Sequence, residues 1–461
     1  MLSVKDIQSV YFIGIGGIGM SALARYFKAL GKEVSGYDKT PTPLTQQLEA
    51  EGIAIHFEEN LELIPQHPDL VVYTPAVPKQ HAELLYFQQQ AVPVLKRSEV
   101  LGIISNSSFN ICIGGTHGKT TTTTMTAHAL RHTGYGCNAF LGGISVNYQT
   151  NFWSDPRNVA VIEADEYDRS FLRLHPDIAV ISSMDPDHLD IYGTEKNLQD
   201  AFIEFSHKLK PQGLLFSKYG LPRSSELRAG KQLTYSLDNA NADIYAKNIR
   251  MQDGSYNFSV QLPDMELRDV QLHMGGLHNV ENSLVAIAIA QQLGINPEKI
   301  KEAIAEFKGV KRRFEYVVKS SRMVFVDDYA HHPEELNALI NGAKALFPDR
   351  VCTVIFQPHL YSRTNDLSTG FAKALNQADK VLLLPIYPAR ELPMEGVESA
   401  LIANQMQEGK VQLTEKAALL DHIKETILND KDHLHLLITA GAGDIDALVQ
   451  PIAKLLKENA G

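Results

Sequence analysis

The stretch Gly114-Gly115-Thr116-His117-Gly118-Lys119-Thr120-Thr121 carries the residue types of a nucleotide-phosphate site. Small residues let backbone N–H groups approach phosphate oxygens, and a following helix N-terminus adds positive partial charge. In such loops the lysine reaches the terminal phosphates and the next Thr hydroxyl sits on Mg²⁺. The spacing is shorter than the general pattern, because Ile113 stands where the first glycine is usual. A second glycine cluster lies near the N-terminus. Gly14, Gly16 and Gly19 have the G-x-G-x-x-G spacing, and Asp38 falls about where dinucleotide folds keep a ribose-binding acid. The same geometry receives any diphosphate, so the motif specifies the anion and not the cofactor.

Acids and imidazoles collect after apolar runs. Val159-Ala160-Val161-Ile162 leads into Glu163-Ala164-Asp165-Glu166, and Ile178-Ala179-Val180-Ile181 leads towards Asp187-His188-Leu189-Asp190. Mg²⁺ takes few protein ligands beside phosphate and water, which makes Glu163 and His188 candidates, His188 the softer. No thiolate or closely spaced His pair supports zinc, and adjacent His331 and His332 point differently. His278, Asn279 and Asn282 precede an apolar helix and either cap it or contact a nucleotide base. Thr74-Pro75-Ala76-Val77-Pro78 sits just past a strand, where open parallel sheets take ligands, and reads equally as a proline turn. Asp327 to Pro333, Gln357 to Thr364 and Gly441 to Asp444 repeat the arrangement further on.

Positioning these groups requires a frame, and the apolar pattern is of α/β type. Strands are expected at residues 10–13, 34–37, 70–73 and 92–95, with helices after Gly19, at 81–89 and at 97–104. Ser105-Asn106-Ser107-Ser108 has low propensity and marks a first boundary. Residues 109–113 form the strand before the phosphate loop and 122–132 the helix after it. The run Thr120 to Thr124 is β-branched and a mediocre helix former. Residues 214–275 shift to period-two alternation with a hairpin turn at Asp253-Gly254, and a helix is expected at 283–293. Gly309 to Phe314 marks a second boundary. The final segment is again α/β, with strands at 323–326, 351–356, 381–384 and 434–438 and a helix at 333–346.

A chain of 461 residues suggests about three domains of ~150 residues. With 44% hydrophobic and 21% charged residues the composition is globular, and the net charge of −11 argues against general nucleic-acid or anionic-membrane binding. Cys112, Cys137 and Cys352 form no C-x-x-C pair, as expected of buried thiols in a reducing compartment. The chain shows neither a signal-peptide pattern nor an apolar run of about 18 residues, so a cytoplasmic protein without membrane insertion is expected. Either a monomer or a homodimer is compatible with the sequence.

In order, Gly14 to Ser21, Gly115 to Thr121, Glu163 to Glu166, Asp187 to Asp190, His278-Asn279 with Asn282, Arg312-Arg313-Phe314 and Asp327 to Pro333 resemble the motif series of the Mur ligases. The shortened phosphate loop is the form this family uses. Within it the likeness is to members that join L-alanine to UDP-N-acetylmuramate in peptidoglycan precursor synthesis, which implies ATP, Mg²⁺ and an acyl-phosphate intermediate. Three domains are implied: a Rossmann-like UDP-sugar domain (1–106), a central P-loop ATPase-like α/β domain (107–311), and a Rossmann-like domain (312–461) that closes over ATP and binds the amino acid. By the resemblance Gly14, Gly16, Gly17, Ile18, Gly19, Ser21, Asp38, Thr74, Ala76 and Arg97 take the UDP sugar. Gly115, Thr116, His117, Gly118, Lys119, Thr120, Thr121, His278, Asn279, Asn282, Arg313, Asp328, Tyr329 and His332 take ATP. Thr120, Glu163 and His188 take the metal, and His359 with Arg363 the amino acid. Catalysis is expected to rest on Lys119, Glu163, His188 and Arg313.

Two features depart from the family. Relatives acting later in the pathway carry a modified lysine beyond the Asp-His motif, and Asp200 to Phe205 contains none. Many alanine-adding relatives have arginine where this chain has Leu360 and Asn365, which leaves Arg363. The alternatives are a relative adding a preformed tripeptide, which should lack the Gly14 to Ser21 form, a nicotinamide dehydrogenase, which leaves residues 115–121 unexplained, and an ATP-dependent binding switch without turnover.

Overall fold

Short runs of β-branched and apolar residues recur along the chain, and burying them on both faces calls for parallel sheets covered by helices. The computed structural model, which describes residues 3–187, 189–389 and 391–459, contains three sheets, the first parallel and the other two mixed. The first comprises β1 (Ser9–Ile13), β2 (Glu33–Tyr37), β3 (Ala54–His56), β4 (Leu70–Tyr73) and β5 (Val94–Lys96), all parallel, in the order β3-β2-β1-β4-β5.

The second sheet comprises β6 (Phe109–Gly114), β7 (Asn138–Ser145), β8 (Thr150–Trp153), β9 (Val159–Glu163), β10 (Ile178–Ile181), β11 (Leu214–Lys218), β12 (Lys231–Ser236), β13 (Ile244–Gln252), β14 (Ser255–Gln261) and β15 (Glu266–Leu272). Its order is β15-β14-β13-β12-β11-β10-β6-β9-β7-β8, which puts the phosphate-loop strand β6 between β9, which ends at Glu163, and β10, which leads into Ser182 and Ser183. The third comprises β16 (Glu315–Lys319), β17 (Met323–Asp328), β18 (Arg350–Phe356), β19 (Lys380–Leu383), β20 (Val411–Leu413) and β21 (Leu434–Ala440), in the order β16-β17-β21-β18-β19-β20, with only β16 antiparallel to its neighbour.

The chain divides into two compact units. One is Met1–Lys247, Ser259–Val270 and Glu281–Phe307; the other is Asn248–Phe258, Gln271–Val280 and Lys308–Gly461. In the first, the helix Ile18–Ala29 buries Leu23 and Phe27 against its own sheet. From the same helix, Tyr26 meets Phe140 of β7 and Phe152 of β8 at ring distances of 5.3 and 6.0 Å. One apolar core thus runs from Phe12 through Phe27 to Phe171 and Phe205. In the second unit Phe325, Ile355 and Leu437 of the sheet pack with Ile452 and Leu456 of the last helix.

Two helices start earlier than expected. The helix expected from residue 283 runs Leu277–Gln292, so His278, Asn279 and Asn282 lie within its first turns rather than capping it. The phosphate-loop helix runs Lys119–His132 despite its threonines, and Thr124 Oγ1 donates back to Thr120 O at 2.7 Å. All three cysteines are free and buried. No described helix is long and apolar enough to cross a membrane.

Candidate active site

At the end of β6 the chain turns through Gly115 (φ 131°) and Gly118 (φ 79°) into the Lys119–His132 helix. A Cβ at Gly115 would stand 2.0 Å from Ser182 Oγ, so only glycine fits. Ser182 and Ser183, just past β10, hold the loop. Ser183 Oγ accepts from His117 N (2.8 Å) and shares a hydrogen bond with Thr116 Oγ1 (2.8 Å), while Ser182 Oγ donates to His117 O. The first helical bond is Thr122 N to Gly118 O, leaving the N–H groups of Lys119, Thr120 and Thr121 as the first-turn donors for an anion.

Lys119 Nζ donates to Gly115 O (2.8 Å) and to Glu166 Oε1 (2.7 Å), a carboxylate with no solvent exposure. Thr120 Oγ1 donates to Glu163 Oε1 (2.9 Å), whose second oxygen accepts from Gly142 N (2.9 Å). Burial pushes both carboxyls above the usual range, with the Lys119 charge opposing it. Thr120 and Glu163 place two hard oxygen donors side by side, a set that fits Mg²⁺. His188, expected next to them, lies outside the described residues.

In the N-terminal glycine loop several donors are already engaged. Gly14 N and Ile15 N donate to Tyr37 O (2.8 and 2.9 Å), and Gly16 N donates to Asp38 Oδ2 (2.7 Å). Asp38 Oδ1 accepts from Thr40 N (3.1 Å), so this acid braces the loop. The helix proper starts with Ser21 N to Gly17 O (2.8 Å), which leaves Ile18, Gly19 and Met20 to offer their N–H groups. Ser21 is fully buried, and its hydroxyl donates to Ile18 O (2.9 Å). Arg97 lies against Gly19, with Nη1 2.7 Å from where a Cβ would be, and its Nη2 is 3.5 Å from Asp165 Oδ2. Thr74 Cγ2 would be 2.7 Å from a Cβ on Gly14, whereas Ala76 is exposed.

In the second unit Asp328 ends β17 and accepts from both Phe314 N and Ala330 N at 2.7 Å, tying the Arg312-Arg313-Phe314 turn to the Tyr329 loop. Burial pushes its carboxyl up to about 6 against those hydrogen bonds. Arg312 and Arg313 lie over the Tyr329 ring at 5.0 and 5.6 Å. His332 caps the helix Pro333–Leu346 by accepting from Glu334 N (3.4 Å). Asn279 Nδ2 donates to Gly275 O (2.6 Å), and His278 folds back over Gly276. Asn282, in the first unit, puts Oδ1 2.8 Å from a Cβ position on Gly118.

His359 stacks on Tyr387 (5.8 Å) and meets His331 edge-on (6.3 Å). Arg363 lies in the first turn of the helix Tyr361–Leu375, whose N-cap Leu360 has φ 69°. Arg363 Nη1 and His359 Nδ1 are buried atoms without a hydrogen-bond partner among the described residues. Asn365 is exposed. Sequence reasoning missed Ser182, Ser183, the Glu166 pairing and Glu391, whose carboxylate accepts from Ser362 N (3.0 Å) at that helix start. For the serines a signal existed, since they directly follow a predicted strand.

Family models match the chain over three stretches: the Mur ligase family catalytic domain at 9–108, the Mur ligase middle domain at 113–290, and the Mur ligase glutamate ligase domain at 312–443. The UDP-N-acetylmuramate–L-alanine ligase of Flavobacterium johnsoniae is 47% identical over 462 residues, covering 99% of this chain and all of the relative. Its counterpart in Porphyromonas gingivalis W83 is 47% identical over 458 residues, 98% of this chain and 99% of the relative. The solved UDP-N-acetylmuramate-alanine ligase of Thermotoga maritima aligns with a TM-score of 0.82 at 28% identity, covering 98% of this chain and 99% of its own. A murein peptide ligase from Psychrobacter arcticus shares the fold, with a TM-score of 0.64 at 24% identity over 97% and 98% of the two chains. The chain belongs to the Mur ligase family.

Proposed function

We propose that this protein is an ATP-dependent ligase that joins L-alanine to the carboxylate of UDP-N-acetylmuramate in peptidoglycan precursor synthesis, acting in the cytoplasm. One observation carries the reading. A chain 47% identical end to end to ligases of that name carries in one compact unit two helix N-termini, at Gly17 and Gly118, whose first-turn N–H groups could receive anions. Residues 1–106 would take the sugar nucleotide, 107–311 ATP, and 312–461 the amino acid.

The substrate carboxylate attacks the γ-phosphorus of ATP, forming an O–P bond as the bond to ADP breaks. The amine of L-alanine then attacks the activated carbonyl carbon, phosphate leaves with the C–O electrons, and the amide forms as the amine loses a proton. No protein nucleophile is required, so catalysis rests on positioning and charge. Lys119 balances charge on the phosphoryl group, and Glu166 fixes the ammonium in place. Thr120 and Glu163 would hold Mg²⁺, which when bound supplies further neutralisation of phosphate charge; His188 joins them by resemblance. Arg313, Asp328, Tyr329 and His332 would frame the adenine side, and Arg363 with His359 the amino-acid carboxylate.

Phosphate release with UDP-N-acetylmuramate, ATP and a panel of L-alanine, glycine and L-serine tests the reading. Release that requires all three substrates and is fastest with L-alanine is expected. Turnover only with a preformed tripeptide would transfer the chain to the recycling reaction, and nucleotide binding without turnover would make it a switch.

A further inference from the structure

We infer that Asn151, on β8 of the segment carrying the phosphate loop, is a positioning residue for the sugar nucleotide's diphosphate. The inference rests on reading Gly14 to Gly19 as the diphosphate loop. Three N–H groups at the start of the helix Ile18–Ala29 are the donors left to that loop, and their aim depends on where the first helical turn is held.

That turn is held from outside its own domain. Asn151 Nδ2 donates to Ile18 O and to Ser21 Oγ (2.9 Å), while Asn151 Oδ1 accepts from Arg25 Nη1, one turn further along. Arg25 directs Nε and Nη2 to Glu51 at 2.8 to 3.0 Å. Asn151 and Ser21 have no solvent exposure, and Arg25 retains only 6%. The amide orientation is dictated by its partners. Arginine can only donate, so the oxygen faces Arg25, and a carbonyl can only accept, so the nitrogen faces Ile18. With Asn151 and Ser21 fully buried, water is a poor substitute for either donation. One side chain therefore ties the hairpin β7–β8, beside the phosphate loop, to the turn that presents Ile18, Gly19 and Met20.

The test uses the full-length protein with Asn151→Asp, which keeps the size and the acceptor for Arg25 but cannot donate to Ile18 O or Ser21. UDP and ADP binding are measured by calorimetry, and KM values for UDP-N-acetylmuramate and ATP by phosphate release. Loss of two buried hydrogen bonds predicts UDP affinity about tenfold weaker and KM for the sugar nucleotide raised in step. ADP affinity, KM for ATP and kcat at saturation should stay within about twofold. Unchanged UDP affinity, or UDP and ADP affinity falling together, would overturn the inference, since a brace for the core alone moves both equally. Should Asn151→Asp not fold, Asn151→Ser, too short to reach Ile18 O, should weaken UDP alone, with unchanged UDP affinity again overturning the proposal. Gly16→Val is the control: if it spares UDP affinity, the diphosphate reading itself fails, whereas UDP loss in Gly16→Val with normal binding in Asn151→Asp refutes only the role of Asn151.

Discussion

Replacing Lys119 by Met separates what the phosphate loop does for the fold from what it does for the reaction. Lys119 is paired at 2.7 Å with Glu166, the two side chains being 15% and 0% exposed. Removing one member of a buried pair costs about 3–5 kcal/mol, because the remaining charge keeps its desolvation cost and loses the facing opposite charge. Burial already pushes Glu166 up, so its carboxyl can take a proton once the ammonium is gone, which places the expected loss at about 3 kcal/mol at pH 8 and makes it smaller as pH falls. Adding Glu166→Gln removes the buried negative charge and should recover most of that stability. Turnover should not return: with no ammonium to balance phosphoryl charge, ADP formation stays at least about 10³-fold down in both variants. Urea unfolding at pH 6 and 8, beside coupled ADP release, reads the two effects separately. A double variant that regained turnover would show that Lys119 serves only to satisfy Glu166.

His128 is buried, its Nε2–H donating to Ala303 O and its Nδ1 accepting from Tyr148 OH, both at 2.9 Å, and burial holds its pKa down to about 4. The unfolded chain therefore binds this proton first, so the stability contribution is complete above pH ~6.5 and is lost as pH falls towards 4, by about 3 kcal/mol. Relative to His128→Gln, the wild type should lose stability between pH 7 and 4.5 in denaturant titrations, and a pH-independent difference would refute the assignment. Arg363→Ala should raise KM for L-alanine tenfold or more with KM for ATP and the sugar nucleotide within about twofold. Equal rises in all three would remove Arg363 from the amino-acid site.

Continuous apolar runs made most of the fold legible. Leu70–Tyr73 and Ile178–Ile181 emerge with the expected ends because each is β-rich and bounded by polar residues. The phosphate loop and the acid at Glu163 were legible for the same reason, as polar groups placed just beyond such runs. The hairpin β7–β8 was not, since Gly142 and Gly143 interrupt its pattern. The start of the helix Leu277–Gln292 was misplaced because Gly275 to Asn282 carries residues equally suited to a cap. Least legible were the partnerships: Asn151 with Ser21 and Lys119 with Glu166 join residues 130 and 47 positions apart. Nothing local distinguishes a buried amide holding a distant helix from one on a loop.

The hairpin at Asp253-Gly254 has a bearing on how such enzymes exchange parts. Its tip belongs to the unit built on the third sheet, where Tyr316 OH donates to Gly254 O (2.9 Å) and Lys319 Nζ to Asp253 O (2.6 Å). A Cβ on Gly254 would come within 2.3 Å of Phe347 Cζ. Covalent order and spatial membership therefore disagree. A hybrid in which everything after residue 311 came from another relative would ask a foreign aromatic pocket to accept this glycine, and a shuffled gene would succeed only where residues 248–258 and 271–280 travelled with it. Inheritance of the final segment as a free-standing module is thus restrained by a two-residue turn encoded far upstream of it.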